Sequence, residues 1–398
     1  MSKLDELIQE LCPDGVEYKE IGEIFEKITD YTAAGSFADI AKNVKYSRER
    51  EYAQLIRTTD LKTKFINEDT FVYVTEKAFN YLWRVNLDKE SIIMPNVGNC
   101  GEVYFVKPED LINNNNVLGP NAILLRTEKN NLKYLYYCID SNSFKNKLLK
   151  ITSSTGQTKF NKTNLKKLTL PVPPLEVQCE IVRILDKFTL LTAELTAELT
   201  ARRKQYEYYR NILLNEDEEY AIKNLEDCCN ILDNKRKPVT KSARVEGEYP
   251  YYGANGIQDY VDDYIFDGKY VLIGEDGSVI TSNGNPIVNW AEGKIWVNNH
   301  AHIIEESTVN LKYLYYFIQT INVRDLIHGN IPKLNQRDFR KLKIKVPYPE
   351  KQNQLVEILE KFDTITNNIR NGLPAEIELN NKRYEYYRDK LLTFKEKK

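Results

Sequence analysis

From Val172 to Leu214 apolar residues return every three or four positions: Ile181, Leu185, Phe188, Leu191, Leu195, Leu199, Tyr206, Tyr209 and Leu213, with one longer gap. That is the α-helical period, held for about ten turns without an interior glycine or proline. Pro171, Pro173 and Pro174 stand just before it, where proline suits a helix start and not a helix middle. At ~1.5 Å per residue the helix spans roughly 58 Å, the length of a spacer.

The same pattern returns near the C-terminus. VPYPEKQNQLVEILEKF (Val346 to Phe362) matches VPPLEVQCEIVRILDKF (Val172 to Phe188), and Tyr384-Glu-Tyr-Tyr-Arg388 repeats Tyr206-Glu-Tyr-Tyr-Arg210. LKYLYYFIQ at Leu311 repeats LKYLYYCID at Leu132, and Lys333-Leu-Asn335 echoes Lys159-Phe-Asn161. The chain is therefore a tandem duplication with a period of 174 to 179 residues, far too long for a solenoid. A two-fold axis relating the copies requires the second helix to run antiparallel to the first, so that their apolar stripes bury each other. The expected architecture is two similar α+β domains joined by two long antiparallel helices, a coiled-coil rod.

The divisions follow from these patterns. Residues 1–171 hold an N-terminal helix (Leu4, Leu7, Ile8, Leu11) and domain one; 172–214 form the central helix. Residues 215–345 form domain two, and 346–398 a second long helix. Phe362 to Tyr384 is four residues longer than Phe188 to Tyr206, and the excess lies around Asn371-Gly-Leu-Pro374. Glycine ends and proline starts helices, so the second helix is expected to break near 371–374. SIIMP at Ser91 and ILLR at Ile123 read as strands of domain one, followed by one helix through KYLYYCIDSNSFKNKLL; Ser153–Gly156 reads as a flexible connection. Domain two is richer in turn dipeptides, including Asn255-Gly256, Asp267-Gly268 and Asp276-Gly277, with strands at KYVLIG, PIVNW, KIWVNN and HAHIIE.

Composition changes the picture little. Net charge is −2, which argues against a uniformly basic nucleic-acid binder, but the distribution is uneven. Residues 17–171 carry 23 Lys+Arg against 19 Asp+Glu, and 215–345 carry 16 against 20. Lys145 to Lys167 holds seven lysines and no acid, so phosphate binding would use local patches. The acidic, amphipathic N-terminus is unlike a targeting segment, and six cysteines without a C-x-x-C pair read as reduced thiols of a cytoplasmic protein.

Motifs for chemistry are sparse. Neither a Walker A loop nor a glycine fingerprint after a strand is present, and Pro173-Pro174 lacks the flanking residues of an amino-methyltransferase tetrad. Asp276 with Glu292-Gly-Lys294 resembles the carboxylates and lysine of a metal-dependent nuclease. His300-Ala-His302 would set two imidazoles on one strand face as a metal pair; no third ligand is evident, the matching first-half residues being Asn121 and Ile123, and a structural or DNA-contacting role is the better expectation. A coiled-coil adaptor with protein-binding end domains is the third possibility.

The TAEL units (Thr192-Ala-Glu-Leu195, Thr196-Ala-Glu-Leu199), the paired VP…Q…IV.IL.KF openings and the paired YEYYR…LL endings resemble specificity subunits of type I restriction-modification enzymes. So do Leu373-Pro-Ala-Glu-Ile-Glu378, Tyr251-Tyr-Gly-Ala-Asn-Gly-Ile-Gln-Asp-Tyr260 and Lys294-Ile-Trp-Val-Asn-Asn-His300, and the resemblance spans essentially the whole chain. It implies a non-catalytic subunit whose two target recognition domains each read one half of a split sequence in double-stranded DNA. It also implies helices that fix the gap and dock two methyltransferase subunits, with restriction/motor subunits completing the complex. S-adenosylmethionine, ATP and Mg²⁺ would belong to those partners, and no cofactor or metal to this chain.

One TAEL unit adds ~6 Å of helix and turns its end ~40° past a full turn, while a base-pair step of DNA advances ~3.4 Å. Changing the repeat number would re-space two readers without rebuilding either. Groove edges are read by Arg, Lys, Asn and Gln, and phosphates are held by Lys, Arg and backbone amides. The candidate contacts are Tyr251, Tyr252, Asn255 and Gln258 in one loop of domain two, with Asn299 and His300 near a strand end. In domain one they are Arg57, Thr58, Asn96 and Asn99, and Lys159 and Lys333 are equivalent phosphate contacts ahead of the long helices.

Overall fold

The computed structural model of the chain describes residues 2–153, 158–215, 220–277, 279–329, 331–367 and 372–397. Two compact units emerge: Met1–Ala193 with Glu378–Lys398, and Glu194–Ile377. The seven main helices are α1 (Lys3–Leu11), α2 (Leu132–Asp140), α3 (Asn142–Ile151), α4 (Leu175–Asn215), α5 (Leu311–Ile318), α6 (Pro349–Asn367) and α7 (Leu373–Leu391). None of the described helices is long and apolar enough to cross a membrane.

The first unit is built on a four-stranded antiparallel sheet. Its order is β1 (Lys27–Asp30), β7 (Ala122–Arg126), β4 (Ser91–Pro95) and β5 (Tyr104–Val106). Beside it lies a three-stranded sheet of β3 (Tyr73–Val74), β2 (Ala53–Ile56) and β6 (Asn116–Leu118). The apolar runs SIIMP and AILLR are strands because both their faces are covered. Ile92, Met94, Ile123 and Leu125 enter the core shared with α2 and α4, while Ile93, Ala122 and Leu124 enter the core under the smaller sheet.

In the second unit the sheet has six strands, ordered β8 (Cys229–Ile231), β13 (Ala301–Glu306), β11 (Phe266–Gly274), β12 (Val288–Val297), β9 (Glu246–Gly253) and β10 (Gly256–Val261). Its first four strands reproduce the order of the first unit's sheet, and the β9–β10 hairpin extends the edge through a parallel β9–β12 pairing. Val271, Ile273 and Ile304 face the helical core, Leu272, Ala291 and Ile303 the other side. Both units are α+β and share one plan, as the duplication requires.

The repeated sequence motifs have the same jobs in both copies. Gln178 accepts the Asn131 amide (2.9 Å) and donates to the Pro173 carbonyl (2.8 Å); Gln352 accepts the Asn310 amide (3.0 Å) and donates to Pro347 (2.8 Å). Tyr134 donates to the Pro171 carbonyl and Tyr313 to that of Lys345. Lys133 pairs with Asp186 and Lys312 with Glu360. The start of each long helix is thus pinned to the tyrosine-rich helix of its own domain.

Each unit takes the end of a long helix from the other copy. In the first, Arg388 of α7 bonds Asp140 of α2 (2.8 Å), and Tyr387 stacks on Phe188 at 5.5 Å. In the second, Arg210 of α4 bonds Gln319 beside α5 (2.9 Å), and Tyr209 stacks on Phe362 at 6.0 Å. Within the first unit, Phe188 lies by Tyr387 and Thr192 by Asn380 (2.8 Å), so α4 and α7 run antiparallel there. α1 packs Leu4 into this unit's core and pairs Lys3 with Glu180 of α4.

Three expectations change. KYLYYCIDSNSFKNKLL is two helices, because the Ser141 hydroxyl takes the Phe144 amide (3.2 Å) and caps a new helix. PIVNW and KIWVNN form the single strand β12, and Asp267-Gly268 lies inside β11 rather than in a turn. Ser153 pairs with Lys159, while 154–156 lie outside the described residues. In the second long helix α6 is described to Asn367 and α7 from Leu373, with Gly372 in neither; 368–371, which include Asn371 of the expected break, lie outside the described residues.

Candidate nucleic-acid interface

At one end of each unit's main sheet the chain builds the same backbone cradle. In the first unit the Asn96 amide donates to the Asn121 carbonyl (3.0 Å) and the Gly98 amide to that of Thr158 (2.8 Å). The Phe160 amide returns to the Asn96 carbonyl (3.1 Å), and Val97 pairs with Lys159. In the second unit Glu275 donates to His300 (2.9 Å), Gly277 to Pro332 (2.9 Å) and Leu334 back to Glu275 (2.8 Å), with Asp276 paired to Lys333. Gly98 and Gly277 occupy the same left-handed backbone conformation, with φ of +83° and +84°, a region glycine enters without steric cost. Asn121, at φ +68°, is left-handed as well, a conformation asparagine tolerates better than most residues.

In domain one the cradle gathers Asn96, Asn99 and Lys159, with Asn99 and Lys159 exposed and Asn96 half-buried. Arg57 and Thr58 start the short helix after β2, and that helix is tied to the cradle loop by Lys62 and Glu102 at 2.8 Å. Arg57 is itself committed: its guanidinium holds the buried Asp60 by two bonds and donates to the Thr70 carbonyl at 2.8 Å. It positions the turn through Nε and Nη2, which leaves the donors of Nη1 for a phosphate.

In domain two Asn255, Gln258 and His300 line one shallow cavity of about 380 Å³ together with Asp276 and Ile331. Asn255 sits in the tight turn joining β9 to β10, where Gly253 pairs with Gly256. Asn299 is exposed beside His300, and Lys333 reaches Glu275 at 3.1 Å. Tyr251 and Tyr252 do not belong to this surface. They are 1% and 8% exposed; Tyr251 accepts the Val239 amide and lies under Arg244, and Tyr252 packs in the core with Phe266. β9 lies inside the six-stranded sheet, so successive side chains are buried on opposite faces.

Behind the cradle is a buried ionic network that sequence reasoning missed. Both nitrogens of the buried His302 are used: Nε2 donates to the Leu334 carbonyl (2.9 Å) and Nδ1 faces Asp233 at 2.7 Å. The ring stacks on Phe339 at 4.1 Å. Asp233 also takes the Ile303 amide (3.0 Å) and Gln336 (3.0 Å), and Arg236 donates to Glu275 at 2.6 Å. Burial pushes the Asp233 carboxyl up, but the bond from His302, the charges of His302 and Arg236, and the Ile303 amide together hold it below the usual carboxylate range. Asp233, Glu275 and His302 are the one group of possible metal ligands among the described residues. Their atoms are already occupied, with two carboxylates answered by a guanidinium and an imidazole. His300 and His302 do not pair, because His300 lies in the turn before β13 and bonds Asp276 instead.

The nuclease constellation is not assembled either. Glu292 pairs in register with Lys269, and Lys294 with Asp267, in the first half of β11. The far end of that strand, Gly274, is roughly 17 Å of extended chain past Lys269, and Asp276 lies beyond it. Lys294 lies over the ring of Tyr264 at 4.6 Å, and Glu292 pairs with Lys269 at 3.6 Å. The cradle also shows what the sequence could have yielded. The 179-residue offset that aligns His300 with Asn121 also aligns Glu275, Asp276 and Gly277 with Asn96, Val97 and Gly98.

Two copies of one domain plan, each joined to both long helices, define a duplicated recognition protein. The chain belongs to the family of type I restriction modification DNA specificity domains, whose model matches residues 13–202 and again 217–379. Among its relatives is the putative type I restriction enzyme specificity subunit S.HindORF215P of Haemophilus influenzae, 35% identical over 67% of this chain and 73% of that one. The type I restriction enzyme EcoR124I/EcoR124II specificity subunit of Escherichia coli is 34% identical over 66% and 71%. In fold the chain is similar to the S subunit of a type I restriction-modification system from M. genitalium, with a TM-score of 0.54 at 16% identity over 95% and 96% of the two chains. A chain from a study of complex assembly in a type I system gives 0.55 at 14% identity over 95% and 97%.

Proposed function

We propose that the two recognition domains of this specificity subunit read the two halves of one bipartite site in double-stranded DNA. The observation that carries the reading is the cradle: the same backbone bonds recur in both domains, with different side chains around them. A shared frame with divergent contacts is what two related readers of different half-sites need, since phosphate contacts position and base contacts specify. Lys159 and Lys333, at equivalent places on the cradles, are the phosphate contacts. Asn96 and Asn99 in domain one and Asn255, Gln258, Asn299 and His300 in domain two are the candidate groups for base edges.

Specificity subunits are the non-catalytic members of type I complexes. On this reading the long helices set the gap and dock two methyltransferase subunits, and restriction/motor subunits complete the assembly in the cytoplasm. S-adenosylmethionine, ATP and Mg²⁺ act in those partners. Replacing residues 215–345 with the second domain of a relative tests the reading. With the methyltransferase subunit present, one half-site should change while the other half-site and the gap stay. A change in both halves would contradict independent readers, and failure of the assembled complex to bind any DNA would favour a protein-binding adaptor.

A further inference from the structure

We propose that Asp276 and His300 form the base-reading pair of domain two, with the Asp276 carboxylate accepting a hydrogen bond from an exocyclic amino group in the major groove. This rests on the reading above and names the residues that carry it out. The two cradles share their backbone bonds, so the frame cannot distinguish one half-site from the other. The distinction must lie in the side chains that the frame presents. At equivalent places these are Val97 and Asn121 in domain one, and Asp276 and His300 in domain two. Glu275, which stands where domain one has Asn96, is occupied by Arg236 and Lys333 and serves the fold.

The pair is built and held in place. His300 Nδ1 meets Asp276 Oδ1 at 2.5 Å, the His300 amide donates to the buried Asn298 side chain (2.8 Å), and its carbonyl takes the Glu275 amide (2.9 Å). Both side chains reach the surface, at 48% and 23% exposure. One imidazole uses a fraction of a carboxylate's lone pairs, so Asp276 retains acceptor capacity. A carboxylate facing a duplex is repelled by phosphates unless a donor meets it. In the major groove the base-edge donors are the amino groups of cytosine N4 and adenine N6.

The surroundings agree with a groove edge. Asn255 and Gln258, whose amides suit adenine, share the cavity with the pair. Ile331, 69% exposed, offers the apolar contact that a thymine methyl takes. In domain one Val97 has no acceptor, so the equivalent base position there is read without an amino contact.

The test is a methylation map from cells co-expressing the chain with its methyltransferase subunit, for the unaltered chain and for Asp276→Asn, Asp276→Val and His300→Asn. Asp276→Val, which removes the acceptor, should reduce discrimination at one base pair of domain two's half-site by roughly 5- to 150-fold. Asp276→Asn, which keeps one acceptor oxygen, should reduce it less, and both should leave the other half-site and the gap unchanged. His300→Asn, which installs the residue of domain one, should affect the same base pair. An Asp276→Val complex that methylates the original motif with undiminished selectivity would overturn the pair while leaving the split-site reading intact. An unaltered complex that yields no split motif would overturn both.

Discussion

At the scale of single residues, the amide side chains at the two helix starts do more than their polarity suggests. Gln178 and Gln352 are buried, and each closes a main-chain donor and a main-chain acceptor that would otherwise lie without partners. Removing either amide should cost about 2 kcal/mol, the penalty of stranding buried peptide groups. Gln178→Ala and Gln352→Ala should therefore lower stability to similar extents in denaturant unfolding, and a negligible effect of both would contradict the shared role. The Asp233–His302 network makes a prediction about pH. Asp233 is held below the usual carboxylate range, so its contribution to stability is complete above about pH 4 and is lost as pH falls through the folded value. Asp233→Asn should lower stability at pH 7 and flatten that acid limb in unfolding measured from pH 7 to pH 3. An unchanged acid limb would show that the carboxyl does not titrate in this way.

Elements show where the sequence was legible and where it was not. The α4 period, the paired helix openings and the strands SIIMP and AILLR could be read directly, because burial on a regular lattice leaves a regular trace. Sheet order could not, since it depends on pairings far apart in the chain. Tyr251 and Tyr252 looked like a loop of readers; they are core because the β9–β10 hairpin joins the sheet edge, which no local pattern announces. Asp276-Gly277 looked like a hairpin turn and is instead one side of the cradle, closed by a partner 57 residues later. The middle of α4 carries its own expectation. The TAEL units lie within this one helix, and Leu195 and Leu199 are half-buried rather than core. Deleting Thr196 to Leu199 should therefore shift the preferred gap between half-sites and preserve the half-sites, as methylation mapping would read; altered half-sites would contradict a spacer role.

For the molecule as a whole, the chain's order and its compact units do not coincide. Each unit contains a recognition domain, the start of the helix that leaves it, and the end of the other copy's helix, marked by Arg388 in one and Arg210 in the other. The duplication was visible as repeated words, and this exchange of helix ends explains why YEYYR is repeated as strictly as the helix openings. The site was less legible, since the residues proposed to read DNA are ones in which the two copies differ. The most direct measurement is to co-express the chain with its methyltransferase subunit and map methylated adenines across the genome. Two short defined blocks around a fixed gap are the expected result. A complex that assembles but adds no methylation, or methylates one contiguous motif, would contradict a pair of separate DNA readers.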